Sequence, residues 1–203
     1  MNMIHPSLYM VRERMNHIER KAMIREILTF PDPRLKKAAS EVKNMDGGLA
    51  TLVEDMVQTM YAAPGIGLAA TQVGSQDRIV VIDVNREEKG QDLLKLVNPR
   101  ITAREGSIVW EEGCLSVVDY TAEVKRAAKV EVKAWTLDQK EITVQAEDLL
   151  AVCLQHELDH LSGKLFIDRI SRLKRELYSR RVKKLIREGR PLERSKQPES
   201  AGI

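Results

Sequence analysis

The segment Gln155–His160 reads QHELDH, and its H-E-x-x-H spacing limits what this 203-residue chain can fold into more than any other feature. In an α-helix, residues four positions apart are separated by about 400° of rotation, so His156 and His160 point the same way. The two imidazoles supply two of the three protein ligands of a catalytic metal site, and the carboxylate of Glu157, next to the first histidine, can serve as its base. The alternative is a surface helix that carries two histidines by chance. A metal site needs a third ligand from elsewhere in the chain.

The distribution of charge excludes some classes of protein. The net charge is +3, but residues 171–190 hold nine Lys or Arg against two Glu, so the preceding residues are net acidic. This is a basic tail on an acidic body, which does not indicate a DNA-binding protein. No apolar run approaches the 18 or so residues of a membrane span, so we expect no membrane partner. The length predicts one main domain.

The cysteines and the N-terminus indicate the compartment. Cys114 and Cys153 are too few for a disulfide framework and predict a reducing environment. Residues 1–22 lack the apolar core of a secretory signal. We therefore expect a cytoplasmic protein whose residues 1–22 form an N-terminal extension. The segment 11–28 is predicted to be either a polar helix or disordered.

Hydrophobic periodicity predicts an α+β fold. Apolar residues recur at helical spacing over 48–62, and residues 147–162 form an unbroken helix that ends at Gly163. Residues 171–188 read as a very basic helix. Short runs rich in Val and Ile predict strands over 78–84, 92–97, 102–109, 129–136 and 141–146. Strands between helices without regular alternation indicate a mainly antiparallel sheet, here packed around the central helix with H-E-x-x-H.

Cys114, in the segment Glu112-Gly113-Cys114-Leu115-Ser116, is a candidate third ligand. A lone cysteine is more often core, but Cys with two His is a catalytic zinc-type set that leaves one position open for water. No base is placed for Ser116, so we expect its hydroxyl to serve a turn or cap. On helix 147–162, apolar residues share a face with the histidines, which indicates either core or the floor of an apolar pocket.

A third segment, Gly65-Ile66-Gly67-Leu68-Ala69-Ala70-Thr71-Gln72, is by itself predicted to be a plain loop. It lacks the later Gly-Lys-Ser/Thr of a phosphate-binding loop. Taken in order, however, GIGLAATQ, EGCLS and QHELDH resemble the three motifs of the peptide deformylases. The resemblance covers about 150 residues, from Met23-Ile24-Arg25 to Phe166-Ile167-Asp168.

The resemblance implies roles for individual residues. In the family the motif cysteine and both histidines bind a divalent metal, here Cys114, His156 and His160. The glutamate between the histidines, here Glu157, is the general acid/base. The motif glutamine and the backbone N–H after the cysteine, here Gln72 and Leu115, stabilise the oxyanion. The family removes the formyl group of N-formylmethionine from new polypeptides and releases formate.

The resemblance also implies a substrate site. The residues that match the apolar methionine pocket are Ile66, Leu149, Val152 and Cys153, and those that match backbone contacts to the peptide are Gly67 and Gly113. Two positions depart from the family pattern: Val118 stands where members often have proline, and Thr121 where many have arginine. These departures affect the rim that contacts the substrate backbone.

The resemblance also implies the cofactor, the partners and the division into domains. We expect one divalent ion, Fe²⁺ in the bacterial cytoplasm, for which Zn²⁺, Ni²⁺ or Co²⁺ can substitute. The partners are N-formylmethionyl nascent peptides and the ribosome near its exit tunnel, through helix 171–190, whose alternative role is that of a solvated surface helix. Residues 23–170 form the catalytic domain, and residues 171–203 form the basic helix and a polar tail.

Two rival functions remain. A catalytically silent relative would have lost one of the motif residues, and none is lost. An H-E-x-x-H metallopeptidase usually takes its third ligand from a later His or Glu, yet no histidine follows His160 and Glu176 falls in the basic helix.

Overall fold

The computed structural model describes residues 22–192 and has the expected α+β architecture. The helices are α1 (Gly47–Ala62), α2 (Asp148–His160) and α3 (Arg172–Arg187). The strands are β1 (Gly67–Ala69), β2 (Ile79–Ile82), β3 (Leu94–Glu105), β4 (Ile108–Cys114), β5 (Val117–Arg126), β6 (Lys129–Trp135) and β7 (Glu141–Glu147). All paired strands are antiparallel, in a five-stranded sheet of order β1-β2-β3-β6-β7 and a β4-β5 hairpin.

The strand β2 explains how the sheet separates two helices. Its sequence is IVVI, and all four residues are fully buried. Val80 and Ile82 belong to the hydrophobic cluster that contains α2, while Ile79 and Val81 belong to the cluster that contains α1. Because successive side chains of a strand point to opposite faces, a strand covered on both sides reads as a continuous apolar run. The helix with the histidines is thus enclosed, as the sequence predicted.

The basic helix α3 is attached to the body by one side. Ser171 caps its start, with the hydroxyl oxygen accepting from the backbone N–H of Lys174. Tyr178 and Val182 are buried in a third cluster with residues of β5, and the Tyr178 hydroxyl donates to the carbonyl of Val118 at 3.1 Å. The remaining cationic face of α3 is exposed.

The sequence-based elements differ from the structure at three places. The strands predicted over 92–97 and 102–109 are largely one strand, β3, whose register shifts between Val97 and Arg100 hide its continuity. The hairpin strands β4 and β5 were not predicted, apart from the first two residues of β4. The motif predicted to be a loop contains β1 and a short 3-10 helix, Ala70–Val73.

The N-terminal extension and the polar tail lie largely outside the described residues. Where the predicted segment 11–28 is described, from residue 22 onward, it is not helical. Its backbone is instead held by other elements: Met23 N–H donates to Asp55 of α1, and Leu28 N–H donates to the carbonyl of Gln72. Within residues 22–192, no helix is both long and apolar enough to cross a membrane.

Candidate metal centre

The three predicted metal ligands converge in the structure. His156 and His160 lie one turn apart on α2, and Cys114 is the last residue of β4. The Sγ of Cys114 is 3.2 Å from Nε2 of His160, which is 3.2 Å from Nε2 of His156. All three donor atoms lie within 4.8 Å of one another, and all three residues are buried. Segments more than forty residues apart therefore meet at one point.

This cluster fits a divalent metal ion. With metal–nitrogen bonds of about 2.0–2.1 Å and metal–sulfur bonds of about 2.3 Å, tetrahedral donors lie roughly 3.3–3.6 Å apart. The observed spacings of 3.2 Å are within a few tenths of an ångström of that range. A thiolate with two imidazoles suits late first-row ions, and three protein ligands leave a coordination position open.

A buried ionic chain orients one of these ligands. Nδ1 of His156 donates to Oε2 of Glu112 at 2.8 Å, which leaves Nε2 free to face the cluster. Both oxygens of Glu112 also accept from Arg126, at 2.6 and 2.8 Å. Nη1 of Arg126 donates to Asp159 at 2.5 Å, and Asp159 is paired in turn with Arg169.

The charged side chains of this buried ionic chain stabilise one another in their ionised forms. Burial opposes ionisation of Glu112, but hydrogen bonds from Arg126 and His156 hold the pKa of its carboxyl below the ordinary value. For Asp159, burial is likewise outweighed by Arg169 and Arg126, so its pKa is also lowered. Glu112 and Asp159 are therefore carboxylates, and only an ionised Glu112 accepts fully from both partners.

Glu157 lies beside the cluster in a pocket that only glycine permits. It is 1% exposed, and its Oε2 has no hydrogen-bond partner among the described residues. A Cβ added to Gly67 of β1 would lie 2.5 Å from Oε1 of Glu157 and 2.9 Å from Sγ of Cys153. Burial raises the pKa of the Glu157 carboxyl to about 7. An unpartnered carboxyl of this kind is well suited to take up and release a proton.

Gln72 is fixed on the 3-10 helix that follows β1. Its Oε1 accepts from the N–H of Ala69 at 2.8 Å, so its Nε2 is directed at the β4–β5 turn. There Nε2 lies 3.1 Å from Oγ of Ser116 and 3.8 Å from Sγ of Cys114. Ser116 thus has a different role from the turn or cap expected of it, since its hydroxyl holds the Gln72 amide. Leu115 lies between these residues and is 7% exposed.

The predicted pocket residues occupy one region. Ile66, Val152 and Cys153 are buried in the same hydrophobic cluster, and Leu149 packs against it, half-buried. Sγ of Cys153 donates to the carbonyl of Ile66 at 3.8 Å, and burial raises the pKa of this thiol, so it is a neutral wall residue. Gly113 is buried in β4.

The two departures from the family pattern lie on β5. Val118 is buried, and its carbonyl accepts from Tyr178. Thr121 donates its hydroxyl to Glu111 at 3.1 Å. Both residues therefore form hydrogen bonds within the protein.

Comparison with known proteins agrees with this geometry. A family model described as polypeptide deformylase matches residues 24–176. The chain belongs to the peptide deformylase family. A peptide deformylase of Syntrophobacter fumaroxidans is 50% identical over 165 residues, covering 81% of this chain and 97% of the relative. A deformylase crystal structure from Legionella pneumophila superposes with a TM-score of 0.74 at 46% identity, covering 82% and 97% of the two chains.

A further structure in the comparison carries a bound molecule. The Ehrlichia chaffeensis deformylase in complex with actinonin is 38% identical, with a TM-score of 0.74, and covers 80% of this chain and 97% of its own. Membership of this metal-dependent family makes the protein an enzyme that removes the formyl group from newly made polypeptides. The predictions of family and activity are confirmed.

Sequence reasoning missed the ionic chain behind the ligands. Glu112 lies in a quoted motif, but its contacts with Arg126 and His156 join residues 14 and 44 positions apart. One signal was present. Arg126 occupies an inward position of β5, in alternation with Ala122 and Val124, where an unpaired charge would be costly.

Replacing Glu112 should weaken metal binding. In Glu112→Gln the His156 ring loses its charged acceptor, and loss of such a partner typically costs 10- to 100-fold in metal affinity. Competition with a chromophoric chelator measures this affinity directly. The matched control is Glu111→Gln, an exposed position on the same strand. Equal affinities in Glu112→Gln and the wild type would refute the orienting role.

Proposed function

We propose that Cys114, His156 and His160 hold one divalent ion and that Glu157 is the general acid/base for deformylation of N-formylmethionyl peptides. The observation that carries this proposal is the convergence of the three donor atoms within 4.8 Å, next to a buried carboxyl whose Oε2 has no described partner. The ion, when bound, supplies Lewis acidity and brings the pKa of water towards neutrality.

Glu157 moves the proton in this reaction. Its carboxylate takes a proton from the water that attacks the formyl carbon and then delivers it to the departing peptide nitrogen, so that formate and a free amine are released. The carboxyl is confined by α2 on one side and by Gly67 on the other, which fixes its distance from the cluster. Its pKa of about 7 makes both transfers accessible near neutrality.

Gln72 and Leu115 stabilise the negative charge that develops on the formyl oxygen. The Gln72 amide is oriented before substrate binds, because Ala69 holds its Oε1 and Ser116 its Nε2. The backbone N–H of Leu115 follows the ligand Cys114 at the end of β4. A preorganised donor of this kind typically contributes about 3–4 kcal/mol to the transition state.

The peptide substrate pairs with β1. Within residues 22–192 this strand is at one end of the five-stranded order and pairs with β2, so its other edge is the one offered to an extended chain. Gly67 and Gly113 permit close approach of the peptide backbone. The methionine side chain enters the apolar region formed by Ile66, Leu149, Val152 and Cys153. Residues 23–170 constitute the catalytic domain in this proposal, and residues 171–203 the basic helix and tail.

The ion in the cell is Fe²⁺, with Zn²⁺, Ni²⁺ or Co²⁺ able to substitute. The donor set accepts all four, so affinity alone does not select among them. A bacterial cytoplasm, where formylated chains are made, is the reducing compartment in which Fe²⁺ and the Cys114 thiolate coexist.

Formate release from formyl-Met-Ala-Ser tests the catalytic assignment. The metal-loaded wild type should release formate, and Glu157→Ala should abolish release while retaining about one ion per chain, because the ligands are untouched. Metal content by elemental analysis is the control for folding. A metal-loaded wild type that released no formate would overturn the proposed site, and an active Glu157→Ala would remove Glu157 from the mechanism.

Anaerobic purification tests the identity of the ion. Protein isolated without oxygen should contain mainly iron, and activity per bound ion should fall when zinc replaces it. On exposure to air the iron form should lose activity, whereas the zinc form should not. Two results together would contradict the choice of Fe²⁺: protein isolated from cells that contain both metals carries zinc, and its activity per ion equals that of the iron form.

The helix α3 is proposed to dock on the ribosome near the exit tunnel. Its buried side, Tyr178 and Val182, is fixed on the body, so the opposite side presents cations at a constant orientation. Within residues 22–192, Lys183 and Arg187, one turn apart on that opposite side, are exposed and form no ion pair; Lys174, nearer the start of the helix, is exposed and unpaired as well. Exposed cations without an acidic partner attract the phosphates of ribosomal RNA.

A triple variant tests this docking better than truncation after Asp168, which would also remove Tyr178 and Val182 from the core. Changing Lys174, Lys183 and Arg187 to Ala should reduce co-sedimentation with ribosomes roughly 10-fold or more at low salt. Release of formate from a small peptide should not change. The matched control removes three exposed cations elsewhere, Lys37, Lys43 and Lys140. Equal co-sedimentation of both variants would refute docking through α3.

A further inference from the structure

An open cavity of about 820 Å³ lies away from the metal cluster. Its walls come from β3, the β3–β4 turn, the end of β5 and the C-terminal part of α2. The α2 residues that line it, Gln155, Leu158 and Asp159, lie on a different face of the helix from His156 and His160. None of the three proposed metal ligands lines the cavity, so it is a separate feature of the fold.

The lining of this cavity is strongly cationic. Seven Lys or Arg side chains line it, against one carboxylate, Asp159. That carboxylate is already used: Arg126 donates to its Oδ2, and Arg169 donates to both its oxygens. Arg126 and Arg169 therefore already fill three of the roughly four acceptor positions of Asp159, so this carboxylate compensates them and not the other cations.

The other five cations have little compensation. Arg78 donates to the carbonyl of Pro99, and burial outweighs the attraction of Glu41 and lowers the pKa of its guanidinium. Arg100 is 3.7 Å from Glu141 in an exposed pair, which contributes little. The remaining three, Arg104, Lys125 and Lys164, are exposed and form no ion pair with any residue in the range 22–192.

This excess of charge determines which ligand the cavity can take. Even with Glu41, Glu112 and Glu141 counted beside Asp159, the seven cations leave three positive charges uncompensated. Concentrated like charges repel unless an anion lies between them. Among the described lining residues there is no aromatic side chain on which a nucleobase could stack.

We propose that this cavity is a binding site for adjacent phosphate groups, with Arg104, Lys125 and Lys164 as the donors. Guanidinium and ammonium groups form charge-assisted hydrogen bonds to phosphate oxygens, and several phosphates in series match several cations around one opening. The same chemistry is offered by a free oligophosphate and by the backbone of RNA. Recognition is through phosphate alone, independent of the base.

Binding of inorganic tripolyphosphate to the metal-loaded protein tests the site. Calorimetry should give saturable binding, and amide signals of Gly106 and Ser107, in the turn that lines the cavity, should shift on titration. Changing Arg104, Lys125 and Lys164 to Ala should weaken binding roughly 10-fold or more and abolish those shifts. Release of formate from formyl-Met-Ala-Ser should stay at the wild-type rate, which shows that the variant is folded.

A control variant and an RNA arm complete the test. The Lys37, Lys43 and Lys140 triple variant removes the same charge elsewhere and should bind tripolyphosphate like the wild type. If RNA is the source, the salt slope of single-stranded RNA binding should fall by about two in the cavity variant, since each phosphate contact contributes about 0.7 to the slope for single strands. An unchanged RNA slope with lost tripolyphosphate binding assigns the site to free oligophosphates. Equal tripolyphosphate binding by wild type and cavity variant, or equal loss in the control variant, would overturn the proposal.

Discussion

The ion pair between Glu112 and Arg126 is the contact on which the arrangement of the centre depends. Both side chains are almost fully buried, and Arg126 also reaches Asp159 on α2. Among the described residues, the β4–β5 hairpin does not pair with the five-stranded sheet. Contacts outside the sheet therefore hold it: apolar packing, hydrogen bonds at Ser116 and Val118, and this ion pair, which joins it directly to α2. Since Cys114 ends β4, the same contact places the thiol beside the histidines.

Buried ion pairs are costly to form, and this cost explains what the contact achieves. A hydrophobic replacement of similar volume often stabilises a protein as much as a buried pair does, whereas loss of one partner costs about 3–5 kcal/mol. Apolar side chains would fill the same space but would not fix the orientation of their neighbours. Glu112 offers oxygens at fixed angles to both Arg126 and Nδ1 of His156, so it selects one register of the hairpin and one tautomer of the ring. The pair contributes specificity of geometry more than stability.

The sequence predicted features that lie within one segment of the chain, and it missed contacts between segments that only folding brings together. Helix α2 and its two histidines follow from spacing, Cys114 follows as a candidate from the need for a third ligand, and the resemblance supplied Gln72. The strand β5 escaped because Arg126 stands where its alternation calls for an apolar residue. The strand β1 escaped because Gly67, Leu68 and Ala69 carry little strand propensity, and its pairing with Ile82 is a tertiary contact. The role of Ser116 depends on Gln72, 44 residues away.

Charge balance connects the ionic chain to the chemistry. Glu112 and Asp159 are compensated by Arg126 and Arg169, so they add no net charge to the interior. In the proposed mechanism, a metal-bound Cys114 thiolate and the Glu157 carboxylate would be the two remaining negative charges, and one divalent ion would balance them. If Glu157 takes the proton of water, as proposed, negative charge passes from its carboxylate to the formyl oxygen, and the total stays unchanged. Because an uncompensated charge is costly in a buried site, a reaction that only relocates charge within a neutral centre avoids that cost at every step.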